Sequence, residues 1–132
     1  MTIGSAAGTS TTPGVSDCQP QKQLPAINVC GSTDGCYGNE GVRVRDQLDS
    51  FANANGCSGP VERRELSSTS YCLAATGCGE LPVQGCGIEG LGHCWPNWPG
   101  AGDAPCQNQN PANFDASAYI LDFFDQVESK GH

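Results

Sequence analysis

The chain is poor in cations: six Lys and Arg stand against fourteen Asp and Glu, giving a net charge of −8 with the histidines neutral. A chain of that sign with no basic run repels phosphate backbones, so nucleic acid is not an expected partner. It also lacks any apolar stretch near the ~18 residues needed to span a bilayer, and none of its segments is shaped like a signal peptide. No membrane partner is expected, and the chain is read as starting at a mature terminus or inside a longer protein. No close Cys-x-x-Cys pair occurs, and the second of only two histidines is the C-terminal His132. Zinc sites usually rest on such pairs with histidines nearby. Neither a metal nor any other cofactor is expected. With 132 residues the chain is one domain or a part of one.

Cysteine is abundant. Nine cysteines, at positions 18, 30, 36, 57, 72, 78, 86, 94 and 106, read as a disulfide framework, which points to an oxidising, secreted setting. The odd count leaves at least one cysteine unpaired or paired outside the chain.

Residues 1–25 are small and polar, and an arm or a short strand are both open readings. Residues 26–81 form a second portion. Leu24-Pro25-Ala26-Ile27-Asn28-Val29-Cys30 reads as a strand that stops at the turn cluster Gly31-Ser32-Thr33-Asp34-Gly35. From Glu40 to Asn55 the pattern is helical, with Val44, Leu48, Phe51 and Ala52 on one stripe and Asn55-Gly56 as the stop. Residues 57–81 form a Cys-rich connector in which Val61–Leu66 is an extended edge or strand.

Residues 82–132 begin with a second core strand, Pro82 to Glu89, that leads into Gly90-Leu91-Gly92-His93-Cys94-Trp95-Pro96-Asn97-Trp98 and a long loop rich in Pro and Asn. Asp115 is suited to cap a helix from Ala116 to about Glu128, whose stripe is Ile120, Phe123, Phe124 and Val127, widened by Tyr119 and Leu121. Strands alternating with one-faced helices predict an α/β fold with a parallel sheet. Two or three strands are too few to cover both helix faces, and the sheet is expected to be incomplete.

An acid after one strand and a histidine after the next can meet at adjacent C-terminal strand edges. An Asp that accepts one ring N–H of a His fixes its tautomer, so that the other nitrogen can take a proton from a serine. The order Asp34 then His93 agrees with the order Ser, acid, His of α/β-hydrolases. On position alone, Asp34 reads first as a turn former bonding its own backbone, and His93 as an ordinary loop histidine.

Several segments resemble the secreted polyhydroxybutyrate depolymerase and feruloyl esterase-like α/β-hydrolases. Gly31-Ser32-Thr33-Asp34 is similar to their His-Gly-Thr-Ala-Asp segment, and Ala54-Asn55-Gly56-Cys57 to their Asn-Gly-Cys. Gly90-Leu91-Gly92-His93-Cys94-Trp95-Pro96 resembles their Gly-Gly-Gly-His-x-Trp-Pro, and Phe114 through Phe124 their closing helix. Ile3 through Thr9 resembles the strand and loop after their nucleophile helix, so the likeness covers nearly the whole chain in register. The sequence departs from the family at Cys30, where a histidine is frequent, and at Gly35-Cys36.

The resemblance implies a partial α/β-hydrolase, the C-terminal portion of one domain, with Asp34 as acid and His93 as base. Trp95 and Trp98 would line a cleft for an ester or a polysaccharide-linked substrate. It implies too that the nucleophile lies elsewhere: Gly4-Ser5-Ala6-Ala7-Gly8 lacks the Gly-x-Ser-x-Gly spacing. The missing N-terminal half, or another chain supplying it, is then the expected partner, and the isolated chain is expected to be inactive. Two other readings stand beside this one: a non-catalytic extracellular module built on an esterase fold, and a small Cys-rich binding protein unrelated to hydrolases.

Overall fold

The computed structural model describes residues 22–92, 95–96 and 114–130. The described elements run β1 (Ala26–Gly31), a 3-10 turn (Asn39–Gly41), α1 (Val42–Ala54), β2 (Val61–Ser67), β3 (Ser70–Ala75), β4 (Val83–Ile88) and α2 (Ala116–Lys130). The strands form one sheet in the order β1-β4-β3-β2. β1 and β4 are parallel, Ala26 opposite Val83 and Gly31 opposite Ile88. β3 is antiparallel to β4, and β2 is antiparallel to β3.

The sheet is therefore mixed rather than parallel, with only the β1–β4 pair meeting the sequence expectation. The correction comes from residues 57–81, where β2 and β3 make a hairpin instead of a connector. Ser70-Tyr71-Cys72-Leu73-Ala74-Ala75 has no β-branched residue, and the turn before it has no glycine or Asn-Gly, so the usual strand and hairpin signals are missing.

Side chains alternate across the sheet, and among the described elements each face takes one helix. On one face α1 lays Val44, Leu48 and Ala52 over the sheet, with Leu48 packed against Ala26 and Val83. Gln47 on the same face is buried, and its Oε1 accepts a hydrogen bond from Asn28 Nδ2, so neither amide is left unpaired in the core. Tyr71 crosses this face over β4, where a Cβ at Gly87 would come within 2.6 Å of its ring; only glycine lets the tyrosine lie there.

On the other face α2 lays Phe123 over Ile27 and the Cys72–Cys86 disulfide, with Tyr119, Ile120, Phe124 and Val127 around it. Leu121 does not widen this stripe; it is 66% exposed, because its position on the helix turns it to solvent. Both helices end as their sequences require. Asp115 Oδ1 accepts the N–H of Ala118 at 3.0 Å, an N-cap bond. At the end of α1, Cys57 N–H bonds Ala52 O and Gly56 N–H bonds Asn53 O, the paired bonds of a Schellman motif with Gly56 in the left-handed region.

Among the described residues three disulfides fasten the frame: Cys30–Cys36 after β1, Cys57–Cys78 between the end of α1 and the segment after β3, and Cys72–Cys86 between directly opposed residues of β3 and β4. Disulfides of this kind persist in oxidising surroundings. Cys18, Cys94 and Cys106 lie outside the described residues.

A further tie is polar. Asn55, 7% exposed, donates through Nδ2 to Leu24 O at 2.8 Å and Leu81 O at 3.0 Å, and accepts Leu24 N–H at 3.1 Å. One side chain thus joins the end of α1 to the segments that enter both parallel strands.

Candidate functional site

Because β1 and β4 are parallel neighbours in register, their C-terminal ends lie side by side, and the loops that leave them start together. Parallel strands of an α/β sheet place ligands at such an edge. Here the two loops are laced to one another. Ser32 N–H bonds Ile88 O at 2.8 Å, and Gly90 N–H bonds Ser32 Oγ at 2.9 Å. One step further, Thr33 N–H and Thr33 Oγ1 both donate to Leu91 O, at 3.0 and 2.9 Å. The lacing requires Gly31: a Cβ there would stand 2.2 Å from Leu91 O. Leu91 is anchored from the other side as well, its buried side chain packing with Ile88, Phe114 and Ala116 under the start of α2.

Asp34 follows Thr33 directly and is half-buried. Its N–H bonds Gly31 O at 3.0 Å, and its own carbonyl accepts Tyr37 N–H at 3.1 Å, so a tight turn holds its backbone at the strand end. Arg43 from the first turn of α1 donates to Gly35 O at 2.6 Å. The Cys30–Cys36 disulfide closes this segment into a small ring, and a carboxylate oxygen of Asp34 lies within 4.8 Å of both sulfurs. Cys30, Cys36 and Asp34 have the residue types of a metal cluster, but the two sulfurs are bonded to each other and offer no thiolate pair.

On the β4 side, Gly92 follows the anchored Leu91, and the chain is described again at Trp95. The Trp95 indole N–H donates to Ser117 Oγ in the first turn of α2 at 3.0 Å, while 45% of the residue stays exposed. The structure thus brings the acid turn against the segment leading to the histidine, and Trp95 against the first turn of α2. His93 and Trp98 lie outside the described residues.

Thr33, Leu91 and Ser117 were not marked by the sequence. The Thr33–Leu91 bonds join residues 58 apart, and no local pattern announces a contact of that range. Ser117 stands beside the recognised cap Asp115, yet only the return of Trp95 to α2 gives its hydroxyl a role.

A second polar cluster sits under α1. The Tyr37 and Tyr71 hydroxyls are 2.9 Å apart, and the Arg63 guanidinium stands 3.8 Å above the Tyr71 ring. Burial, then the hydrogen bond with Tyr37, holds the Tyr71 hydroxyl well above the ordinary phenol range. Both tyrosines are buried, and their hydroxyls bond one another.

No known family, curated protein or solved structure matches the chain.

Proposed function

We propose that this chain is the C-terminal portion of a secreted serine esterase of the α/β-hydrolase type, supplying the acid and the base of a triad whose serine comes from another segment. The observation that carries the reading is the pair of hydrogen bonds from Thr33 to Leu91 O, which ties the residue before Asp34 to the backbone two residues ahead of His93. In the proposed reaction Asp34 accepts one ring N–H of His93, and the other ring nitrogen takes the proton of the attacking serine. An acyl-enzyme forms, and His93 then activates the water that hydrolyses it. Trp95 and Trp98 would bind the acyl or sugar part of a carboxylic ester. The disulfides support the secreted setting.

An upstream half would join at the β1 edge. Among the described residues β1 has a strand on one side only, so its other backbone row is open to a further strand. The test is the coding sequence upstream of Met1 and the longer chain that it specifies. A Gly-x-Ser-x-Gly segment and hydrolysis of p-nitrophenyl esters that falls by about 10³-fold or more in His93→Ala are expected. Equal hydrolysis by the His93→Ala chain would overturn the reading.

A non-catalytic module that pairs through β1 is the second reading, favoured by the same open edge and by the lack of a nucleophile segment in this sequence. Sedimentation of the 132-residue chain separates the two. Concentration-dependent dimers support the module, and a monomer at high concentration counts against it.

A further inference from the structure

At the other end of the sheet from Asp34 lies a cleft of about 170 Å³, bounded by the start of β4, by β3 and β2 and by the C-terminal half of α2. β4 runs from Val83 at the cleft to Ile88 at the Asp34 loop, roughly 17 Å of strand, so the two places are separate. Ala74, Phe123 and Val127 give the cleft apolar lining, and a volume near 150 Å³ is enough to hold a benzene ring.

The polar groups around the cleft are mostly donors. Arg64 and Lys130 line it and make no ion pair among the described residues, although the chain has only six Lys and Arg in all. Gln84 lines it too. Its Oε1 accepts the Tyr119 hydroxyl at 2.8 Å, which fixes the amide and leaves its N–H groups without a partner among the described residues. The Gln126 amide donates to Asp122 instead, and Glu80 is the one carboxylate among the described lining residues. The last carbonyls of α2 carry the negative end of the helix dipole, and Lys130 in that turn offsets them. Arg64 and Gln84, across the cleft on the sheet, are therefore the pair best placed to take a ligand's charge.

We propose that this cleft is a binding site for a small carboxylate with a ring-sized apolar body, its carboxylate on Arg64 and the Gln84 amide and its body against Phe123 and Val127. Arg presents a planar fork that matches a carboxylate, and a charge-assisted bond of this kind distinguishes an acid from its neutral amide. The site is independent of the esterase reading, since it uses none of the residues at the Asp34 edge.

Benzoate is the probe, titrated into the full disulfide-bonded chain labelled with ¹⁵N, with benzamide as the neutral counterpart. Saturable shifts confined to the backbone amides around residues 64, 84 and 123–127 and to the Gln84 side chain are expected, with benzamide about 10-fold weaker, as for a loss of roughly 1.4 kcal/mol. Arg64→Gln should weaken benzoate by about the same factor, and Lys130→Gln by less, about 3-fold. Both side chains are exposed, and spectra that keep their dispersion show that the variants remain folded. Equal binding of benzamide and benzoate overturns the proposal, a comparison that needs no variant. Shifts that never saturate, or undiminished benzoate binding by a folded Arg64→Gln chain, overturn it as well.

Discussion

Thr33 spends its amide and its hydroxyl on a single acceptor, the carbonyl oxygen of Leu91, at 3.0 and 2.9 Å. The bond pair sets the spacing of two loops that belong to strands far apart in sequence. Thr33→Val keeps the shape of the side chain and removes the hydroxyl bond. It should lower unfolding free energy by about 1 kcal/mol, read by chemical denaturation. Amide exchange at Thr33 and Gly90 should speed up more than exchange in α1. Unchanged exchange at both amides would show that the loops are held by other means.

Asn55 makes three hydrogen bonds to backbone groups of Leu24 and Leu81 from a site that is 7% exposed. Asn55→Ala strands those groups, each with a desolvation cost of about 1–3 kcal/mol. A loss of at least ~3 kcal/mol is expected on that scale. Asn55→Asp should be nearly as harmful, since a carboxylate can accept from Leu24 N–H but cannot donate to the two carbonyls. Denaturant midpoints of the two variants test the pair.

The disulfides should open in an order set by burial. Cys72 and Cys86 are each 1% exposed beneath Phe123, and Cys30 and Cys36 are each 2% exposed, whereas Cys57 and Cys78 are half-buried. Under mild reduction in native buffer, alkylation and mass spectrometry should find Cys57 and Cys78 labelled first. Cys72 and Cys86 should react only as the chain unfolds. Replacing that last pair by alanines should cost about 3 kcal/mol, the loop-closure value for a bridge of sequence separation 14.

Stability should fall in alkali through Tyr71. Its hydroxyl is held above the phenol range in the folded chain, by burial first and then by its bond with Tyr37. Burial raises Tyr119 in the same direction. Between the unfolded value near 10 and the higher folded one, the native chain binds more protons than the unfolded chain, so the slope of stability against pH is negative. The contribution is fully present below about pH 10 and is lost as pH rises. Absorbance of phenolate followed together with circular dichroism should show these tyrosines ionising only as the fold is lost. Tyr37→Phe, which deprives a buried hydroxyl of its partner, should lower stability already at neutral pH by about 1–3 kcal/mol.

Much of this frame is readable from local pattern. The stripe Val44, Leu48, Ala52 and the stripe Ile120, Phe123, Phe124, Val127 both lie against the sheet, and Asp115 and Gly56 end their helices as capping chemistry requires. Ala26–Gly31 and Val83–Ile88 are the two strands that apolar runs announced. What pattern does not carry is pairing. β3 has small residues and cysteine where strand formers are usual, and its place is set by Tyr71 lying over Gly87 and by Cys72 facing Cys86. The same holds at the candidate site. The turn around Asp34 is visible in Gly31-Ser32-Thr33-Asp34-Gly35, but its clasp to Leu91 is a contact across 58 residues. Leu121 shows the opposite error, since its apolar character suggested burial while helix geometry turns it outward.

The two margins of the sheet differ in what they permit. Among the described residues, β2 ends it with Glu62, Arg63, Arg64 and Glu65 exposed on consecutive positions, whereas β1 ends it with Ala26, Ile27, Asn28 and Cys30 buried. A charged strand resists edge-to-edge growth, and an apolar one invites it. Under the proposed reading, strand addition would therefore have a direction: a strand joining at β1 would meet a sheet whose other described margin is the charged β2, which disfavours further growth.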